Sequence, residues 1–163
     1  MAQSRRRSDT PPPATGGSER EVLIGFLDYL RSCVLKKVDG VPETEVRTPG
    51  VPSGTNLLGL LNHLINVERF TFLGESVMNW QNTFHPGPGD TVESLSAEYQ
   101  SVTARANHTV LECADLELPC LRPTRQGQPP SIRWALTHMI EETARHAGQM
   151  DILRELIDGA TGR

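Results

Sequence analysis

The chain has 163 residues, a formal net charge of −4 and a sequence pI near 5.7. This length suits one domain with a substantial hydrophobic core. The slightly acidic balance gives no general attraction to nucleic acid or to an anionic membrane, so neither partner is expected. No stretch approaches the roughly 20 apolar residues of a membrane-spanning helix, and we expect the protein to stay in the cytoplasm.

The three cysteines are Cys33, Cys113 and Cys120, with no C-x-x-C spacing among them. An odd number without that spacing argues against both a disulfide framework and a cysteine-based zinc site. We therefore expect reduced thiols. Cys33 and Cys113 fall within helical patterns and are interpreted as small core residues.

The N-terminal part of the chain divides into a tail and a first helix. Residues 1–17 have no periodic apolar face, and their three consecutive prolines and basic triplet predict a disordered tail. Order should begin at Ser18, which can cap a helix while Glu21 reaches back to it in a capping box. Apolar residues three and four apart carry this helix to about Lys37, and a loop to about Thr55 should follow.

The second predicted helix is apolar around much of its girth. It should start near Asn56, capped by Thr55 or Ser53, and it contains a run of leucines. Such a helix lies inside a bundle, so a polar side chain among its leucines needs an explanation. His63 is that side chain.

Two long connections separate the remaining helices. Residues 78–90 are rich in Pro and Gly and cannot hold regular structure, and residues 116–130 form a second crossover. A third helix is predicted over residues 92–115. The last and longest helix starts after Ser131 as its cap and ends at about Asp158. Long connections often shape a binding site.

The predicted fold class is all-α. No alternating strand pattern of useful length occurs, although residues 116–121 allow a short extended piece. Four helices with long inter-helix connections make a four-helix bundle, and we place its domain at residues 18–159. Bundles of this kind commonly build metal sites from inward-pointing side chains of facing helices.

The last helix carries His138, Glu142 and His146 at intervals of four, which places all three on one face. Neighbours in this series are about 6 Å apart along the axis and can share an ion, whereas the outer two, about 12 Å apart, cannot easily do so. One neighbouring pair should therefore bind directly. With His63 from the second helix, such a pair supplies two nitrogens and one carboxylate oxygen, a set used by catalytic zinc sites.

Each of these residues also has an ordinary structural explanation. A single histidine among leucines is more often a hydrogen-bonded core residue, and E-x-x-x-H on a helix is a common i,i+4 pair. Composition and spacing leave both explanations open. Ionisable groups in a dry interior need pairing or coordination, and a divalent ion would provide it.

Two segments resemble the DinB-like superfamily, in particular its actinobacterial branch. They are L-L-N-H-L-I-N-V-E-R in the second helix and E-E-T-A-R-H-A-G-Q-M-D-I-L-R-E-L-I-D-G in the last, and the resemblance covers roughly residues 18–159. Members are four-helix bundles that bind a divalent metal through one His of the second helix and a pair four residues apart on the last. The second residue of that pair precedes a G-Q step.

The resemblance implies that the metal ligands are His63, Glu142 and His146. Many members have a third histidine where this chain has Glu142, whereas mycothiol-dependent maleylpyruvate isomerase also has Glu there. This departure leans toward the mycothiol-using side of the superfamily. His138 then becomes a residue of the pocket wall or a neighbour of the ligands.

Several relatives use the metal to bind a low-molecular-weight thiol for transfer or isomerisation. The resemblance therefore implies a metal-dependent, mycothiol-type S-transferase or thiol-dependent isomerase that acts on a small electrophile. Zinc is the favoured ion over nickel, iron and manganese. The candidates for holding the cofactor or an acidic group are His138, Arg122 and Arg133, and Arg125, in the same loop as Arg122, is a further candidate for the acidic group. No catalytic residue is assigned.

Two other functions fit the same ligand set. A metal-dependent hydrolase would use activated water at the open position. A non-catalytic metal-binding or ligand-binding stress protein would have a structural or vestigial ion.

A homodimer is suggested because relatives often pair and bundles readily expose an apolar face.

Overall fold

The structure is a computed structural model that describes residues 10–14 and 16–162. The predicted disordered tail at residues 1–17 falls largely on positions outside the described residues, so it stays a prediction. Throughout the described part, all regular secondary structure is helical, which confirms the all-α class. The only extended pairing there is an isolated antiparallel bridge between Pro119 and Ser131.

Four long helices form the bundle, and two short helical segments lie in its connections. The long helices correspond to the four that the sequence predicts, although the third ends at its C-cap, Cys113, where the backbone becomes extended. The elements are α1 (Glu19–Val38), α2 (Glu43–Val46), α3 (Leu57–Phe72), α4 (Val92–Glu112) and α5 (Ile132–Asp158), with a 3-10 turn at Gln81–Phe84.

Capping residues determine where the first helix begins and where the last helix begins and ends. The capping box of α1 is confirmed, because Ser18 accepts the Glu21 N–H at 3.2 Å and the Glu21 carboxylate accepts the Ser18 N–H at 2.9 Å. Ser131 caps α5 as predicted. That helix ends at Gly159, whose φ of 73° lies in the left-handed region that glycine adopts without a Cβ clash.

The predicted cap of the second helix was wrong. Asn56 itself caps α3, since its side-chain oxygen accepts the Gly59 N–H at 2.8 Å. The hydroxyl groups of Ser53 and Thr55 instead bond to each other at 2.9 Å. Asparagine satisfies an N-terminal N–H at least as well as serine or threonine, so residue type alone gave no reason to prefer Ser53 or Thr55 over Asn56.

The short elements in the loops were also missed. The four-residue helix α2 follows Pro42 and buries Val46 completely, and the 3-10 turn buries Thr83. A single turn is too short to show an apolar period. Cys33 is buried as predicted, but Cys113 is only half-buried at the end of α4.

Two apolar clusters form the core. Helix α1 packs along α5, α3 packs along α4, and α3 also contacts α5. The first cluster includes Val34, Leu61, Leu64, Tyr99 and Met150, and the second includes Leu27, Val67, Phe72, Ala106 and Met139.

In the part of the chain that the structure describes, no helix is long and apolar enough to cross a membrane.

On α1 and α5, buried polar side chains fall in sequence between residues of the two clusters. On α1, Arg31 follows Leu27 of the second cluster and precedes Val34 of the first. On α5, Glu142 and His146 lie in sequence between residues of the same two clusters. Because each fully buried leucine or valine contributes about 1.5–3 kcal/mol, the flanking clusters can hold a polar layer in place.

Candidate metal centre

The structure brings the three predicted ligands together. His63 comes from the middle of α3, and Glu142 and His146 come from adjacent turns of α5. One ligand atom from each lies within 4.8 Å of the other two. His138, one turn earlier on α5, is not a member of this group.

The spacing of the ligand atoms suits a small divalent ion. Glu142 Oε1 lies 3.0 Å from His146 Nε2 and 3.5 Å from His63 Nε2. Two ligands held at about 2.0–2.1 Å from a tetrahedral zinc are about 3.3 Å from each other. The three side chains therefore need only small movements to bind one such ion.

The tautomer of His63 follows from its hydrogen bond to Thr83. The Thr83 hydroxyl donates to the Trp80 carbonyl at 2.6 Å, so it accepts from His63 Nδ1 at 2.7 Å. Neutral His63 then carries its lone pair on Nε2, the nitrogen that faces the other ligands. Its ring also stacks on Phe84, with centroids 4.0 Å apart and planes inclined by 12°.

The same logic applies to His146. Its Nδ1 lies 2.8 Å from Gln149 Oε1, which can only accept, so Nδ1 carries the hydrogen and Nε2 the lone pair. Two imidazole lone pairs and one carboxylate oxygen thus converge without a donor among them. A cation resolves this, either as a proton shared within the group or as a metal ion. The donor set fits a divalent metal.

Burial and charge shift the pKa values of this group. Burial, followed by the charge interaction with His146, lowers the pKa of His63 to about 4, although the Glu142 carboxylate acts to raise it. Burial acts to raise the pKa of Glu142, but His146 and then His63 outweigh it, and the pKa lies below the ordinary 4.5. At neutral pH His63 is neutral and Glu142 is ionised, which are the forms that bind metals.

The turn Gln81–Phe84 is fastened to α3 so that it can reach His63. Asn62 donates its side-chain N–H to the Thr83 carbonyl at 2.7 Å. Gly59 allows the close approach, because a Cβ built there would lie 2.4 Å from the Phe84 carbonyl oxygen. The loop backbone therefore lies directly against the helix at a position where only glycine fits.

Sequence reasoning missed the groups that orient the two histidines. Gln149 had a usable signal, because it stands three residues after His146 and therefore on the same helix face. Thr83 had none, since it lies in a loop with no periodicity. Only the fold brings that loop against α3.

A cavity of about 210 Å³ opens beside the ligands. His138 lines it and stacks on Trp134 at 4.8 Å, and the Arg122 guanidinium lies 5.2 Å from the ring centroids of both Phe70 and Trp134. The structure thus places two of the three candidate pocket residues at the site. The lining residues are His63, Val67, Phe70, Thr71, Trp80, Arg122, His138 and Glu142.

The third candidate, Arg133, lies elsewhere. Its guanidinium donates to the Glu19 carboxylate at 2.7 and 3.0 Å and also pairs with Glu117, and it is not among the residues that line the cavity. Arg125 is exposed in the loop before α5. A larger groove of about 650 Å³ lies between α1 and α4, but no metal-ligating cluster is found there among the described residues.

An all-α bundle of this kind is consistent with the DinB-like superfamily. The family model described as mycothiol-S-transferase matches residues 22–159, and the chain belongs to this family, within the DinB-like superfamily. A search of curated proteins found no match to the chain.

Proposed function

We propose that the protein is a metal-dependent mycothiol S-transferase with His63, Glu142 and His146 as its metal ligands. The observation that carries the proposal is the convergence of two imidazole lone pairs and a carboxylate oxygen, with both Nδ1–H groups already engaged elsewhere. Membership of the mycothiol S-transferase family supports a thiol and an electrophile as the two substrates.

A divalent ion such as zinc would supply the Lewis acidity that favours a thiolate over a thiol at neutral pH. His63, Glu142 and His146 would hold such an ion by three ligands and would leave a position of a four-coordinate site open for that thiol. In the transfer, the sulfur electron pair forms a C–S bond and the leaving group departs with the pair of the broken bond. The thiol proton passes to solvent.

The protein's own cysteines support an external thiol. Cys33 and Cys120 are buried, and the Cys113 thiol donates to the Asp115 carbonyl at 3.2 Å. None of the three is among the residues that line the cavity beside the ligands. A nucleophilic sulfur at this site must therefore come from a bound cosubstrate.

Elemental analysis tests the ligands. Purified wild type should contain stoichiometric metal, with zinc the favoured ion, and His63→Ala, Glu142→Ala and His146→Ala should each lose it. His138→Ala is the matched control on the same helix face and should keep its metal. A wild type without stoichiometric metal, or ligand variants that retain it, would exclude this site.

A thiol-dependence assay tests the reaction. With mycothiol and chlorodinitrobenzene, product should form faster than the uncatalysed background only when thiol and metal-loaded protein are both present. Equal conversion without thiol would rule out the transferase and favour the hydrolase. Metal-loaded protein that converts nothing would favour a non-catalytic binding module.

The homodimer also stays a prediction, which the molar mass in solution would decide.

A further inference from the structure

Arg122 is the cation of the cavity wall. Its guanidinium lies over the rings of Phe70 and Trp134, at 5.2 Å from each centroid. In the described ranges, 10–14 and 16–162, no hydrogen bond or ion pair engages it. Aromatic contacts use the faces of a guanidinium and leave its N–H edge available.

Four other arginines of the bundle behave differently. Arg31, Arg69, Arg133 and Arg154 each pair with at least one carboxylate of the protein. Arg122 is instead positioned by stacking alone, beside a cavity that also contains the Glu142 carboxylate. A planar fork of donors matches a carboxylate in a bidentate geometry.

We propose that this cavity binds a small planar carboxylate as the electrophilic substrate, with its negative group on Arg122. The inference rests on the proposed function and names its substrate class. Repulsion from Glu142 would direct the carboxylate toward Arg122, which leaves the reactive carbon on the ligand side.

The walls favour a flat, unsaturated body. Phe70 and Trp80 contact each other edge to face, with centroids 5.1 Å apart and planes at 85°, and Trp80 contacts the His63 ring at 6.0 Å. Such rings offer apolar faces for stacking. A volume of about 210 Å³ is below the usual 300–1,000 Å³ of ligand pockets, so it suits a small electrophile rather than the whole thiol.

Binding can be measured without turnover. The chain's two tryptophans are Trp80, in the cavity wall, and Trp134, beneath Arg122, so their fluorescence reports on this site. Para-nitrobenzoate and its methyl ester are quenching probes that differ in charge but share the ring. Titrations use metal-loaded protein, with a parallel series after chelation.

Arg122→Gln should weaken para-nitrobenzoate about 10- to 100-fold and change the ester less than about twofold. Arg122→Lys should retain part of the affinity, because it keeps the charge and loses the fork. Arg125→Gln, in the same loop but outside the cavity lining, is the matched control and should bind like wild type. Equal affinities for acid and ester in wild type would overturn the proposal. So would acid binding that survives Arg122→Gln and disappears on chelation.

Turnover separates this inference from the proposed function. The electrophile pair is para-(bromomethyl)benzoate and its methyl ester, from which the thiol sulfur displaces bromide and the thiol proton goes to solvent. The acid-to-ester ratio of kcat/KM should fall at least about 10-fold in Arg122→Gln. An unchanged ratio would overturn the substrate class. Arg122-dependent binding of the acid without any thiol-dependent turnover would overturn the transferase and leave the carboxylate site standing.

Discussion

Two of the buried polar groups in the described part of the bundle handle their charges in opposite ways. The ion-pair cluster consists of Arg31, Glu68, Asp28 and Asn107. The ligand cluster consists of His63, Glu142 and His146. Both draw on facing helices, and their central residues, Arg31, Glu68, His63 and His146, are each less than a tenth exposed.

The ion-pair cluster is complete within the protein. Arg31 donates from Nε and Nη2 to the two Glu68 oxygens at 2.7 Å each, and from Nη1 to Asp28 and Asn107 at 2.7 Å. Asn107 in turn donates to both Asp28 oxygens at 3.0 Å. Burial alone would lower the pKa of Arg31, but the charge of Glu68 raises it.

The ligand cluster has acceptors and no matching cation of its own. Its two Nδ1–H groups are committed to Thr83 and Gln149, so every group that faces the centre accepts. The difference teaches how to distinguish a structural polar cluster from a binding site. In the first, the buried Arg31 and Glu68 neutralise each other, whereas in the second the acceptors converge without a cation from the described chain.

Breaking the ion-pair cluster should have the largest effect. Glu68→Gln removes the bidentate partner of a buried guanidinium and should lower the free energy of unfolding by about 3–5 kcal/mol. Urea denaturation measures this loss. The matched control is Glu98→Gln, which breaks a half-exposed pair with Arg69 and should cost less than about 1 kcal/mol. A similar loss of unfolding free energy in both variants would contradict the view that Glu68 compensates the buried charge of Arg31.

Removing the metal should have the second largest effect on stability. If the ion is present at about 100 times its Kd, chelation should lower the free energy of unfolding of wild type by about 3 kcal/mol. Glu142→Gln should not respond to chelator. Without metal it should be at least as stable as wild type, since its amide N–H can donate to an imidazole. A metal-free Glu142→Gln that is much less stable would show that the carboxylate has a structural role.

The orienting groups should have a smaller effect. Thr83→Val removes the acceptor of His63 Nδ1–H and should weaken metal binding about 10- to 100-fold, and Gln149→Leu should do the same through His146. Competition with a chelating dye measures the affinity. Thr143→Val is the control, because its buried hydroxyl, next to Glu142, has no hydrogen-bond partner within the described chain. A loss of affinity in the control as large as in Thr83→Val would refute the orientation argument.

The smallest effect should be a pH dependence of the metal-free protein. In the unfolded chain His63 takes up a proton near pH 6.5, whereas in the fold its pKa is about 4. Its neutral form therefore contributes stability above pH 6.5 that is lost as the pH falls toward 4. Between pH 7.5 and 5, chelated wild type should lose about 1–2 kcal/mol more than His63→Asn. Parallel losses in the two proteins would argue against the lowered pKa.

Local patterns sufficed for much of the fold. The periods and caps at Ser18 and Ser131 predict α1 and α5 closely, because a helix end is determined by residues within one turn of it. The α3 cap was wrong because Asn56 competes with two neighbours of similar capping strength. The turn at Gln81–Phe84 could not be predicted, because the hydrogen bond and the close backbone approach that hold it are made with α3, which is distant in sequence from the turn's own residues.

The site divides in the same way. Glu142 and His146 share a helix face, so their proximity follows from spacing, and His63 could be paired with them through the resemblance. That they bind a metal remains a prediction. The lack of a hydrogen-bond or ion-pair partner for Arg122 among the described residues could not be predicted from the sequence, since it depends on every residue that folds nearby. The ion pair between Arg133 and Glu19, which holds Arg133 away from the cavity, could not be predicted for the same reason.

The glycine at position 59 has a consequence for how variants of this protein should be read. A methyl group there would collide with the Phe84 carbonyl oxygen and push the turn away from α3. Thr83 would move away from His63, and Trp80, which precedes the turn, would leave the cavity wall. A conservative-looking Gly59→Ala would therefore behave genetically like a loss of the candidate metal centre, although His63, Glu142 and His146 are intact.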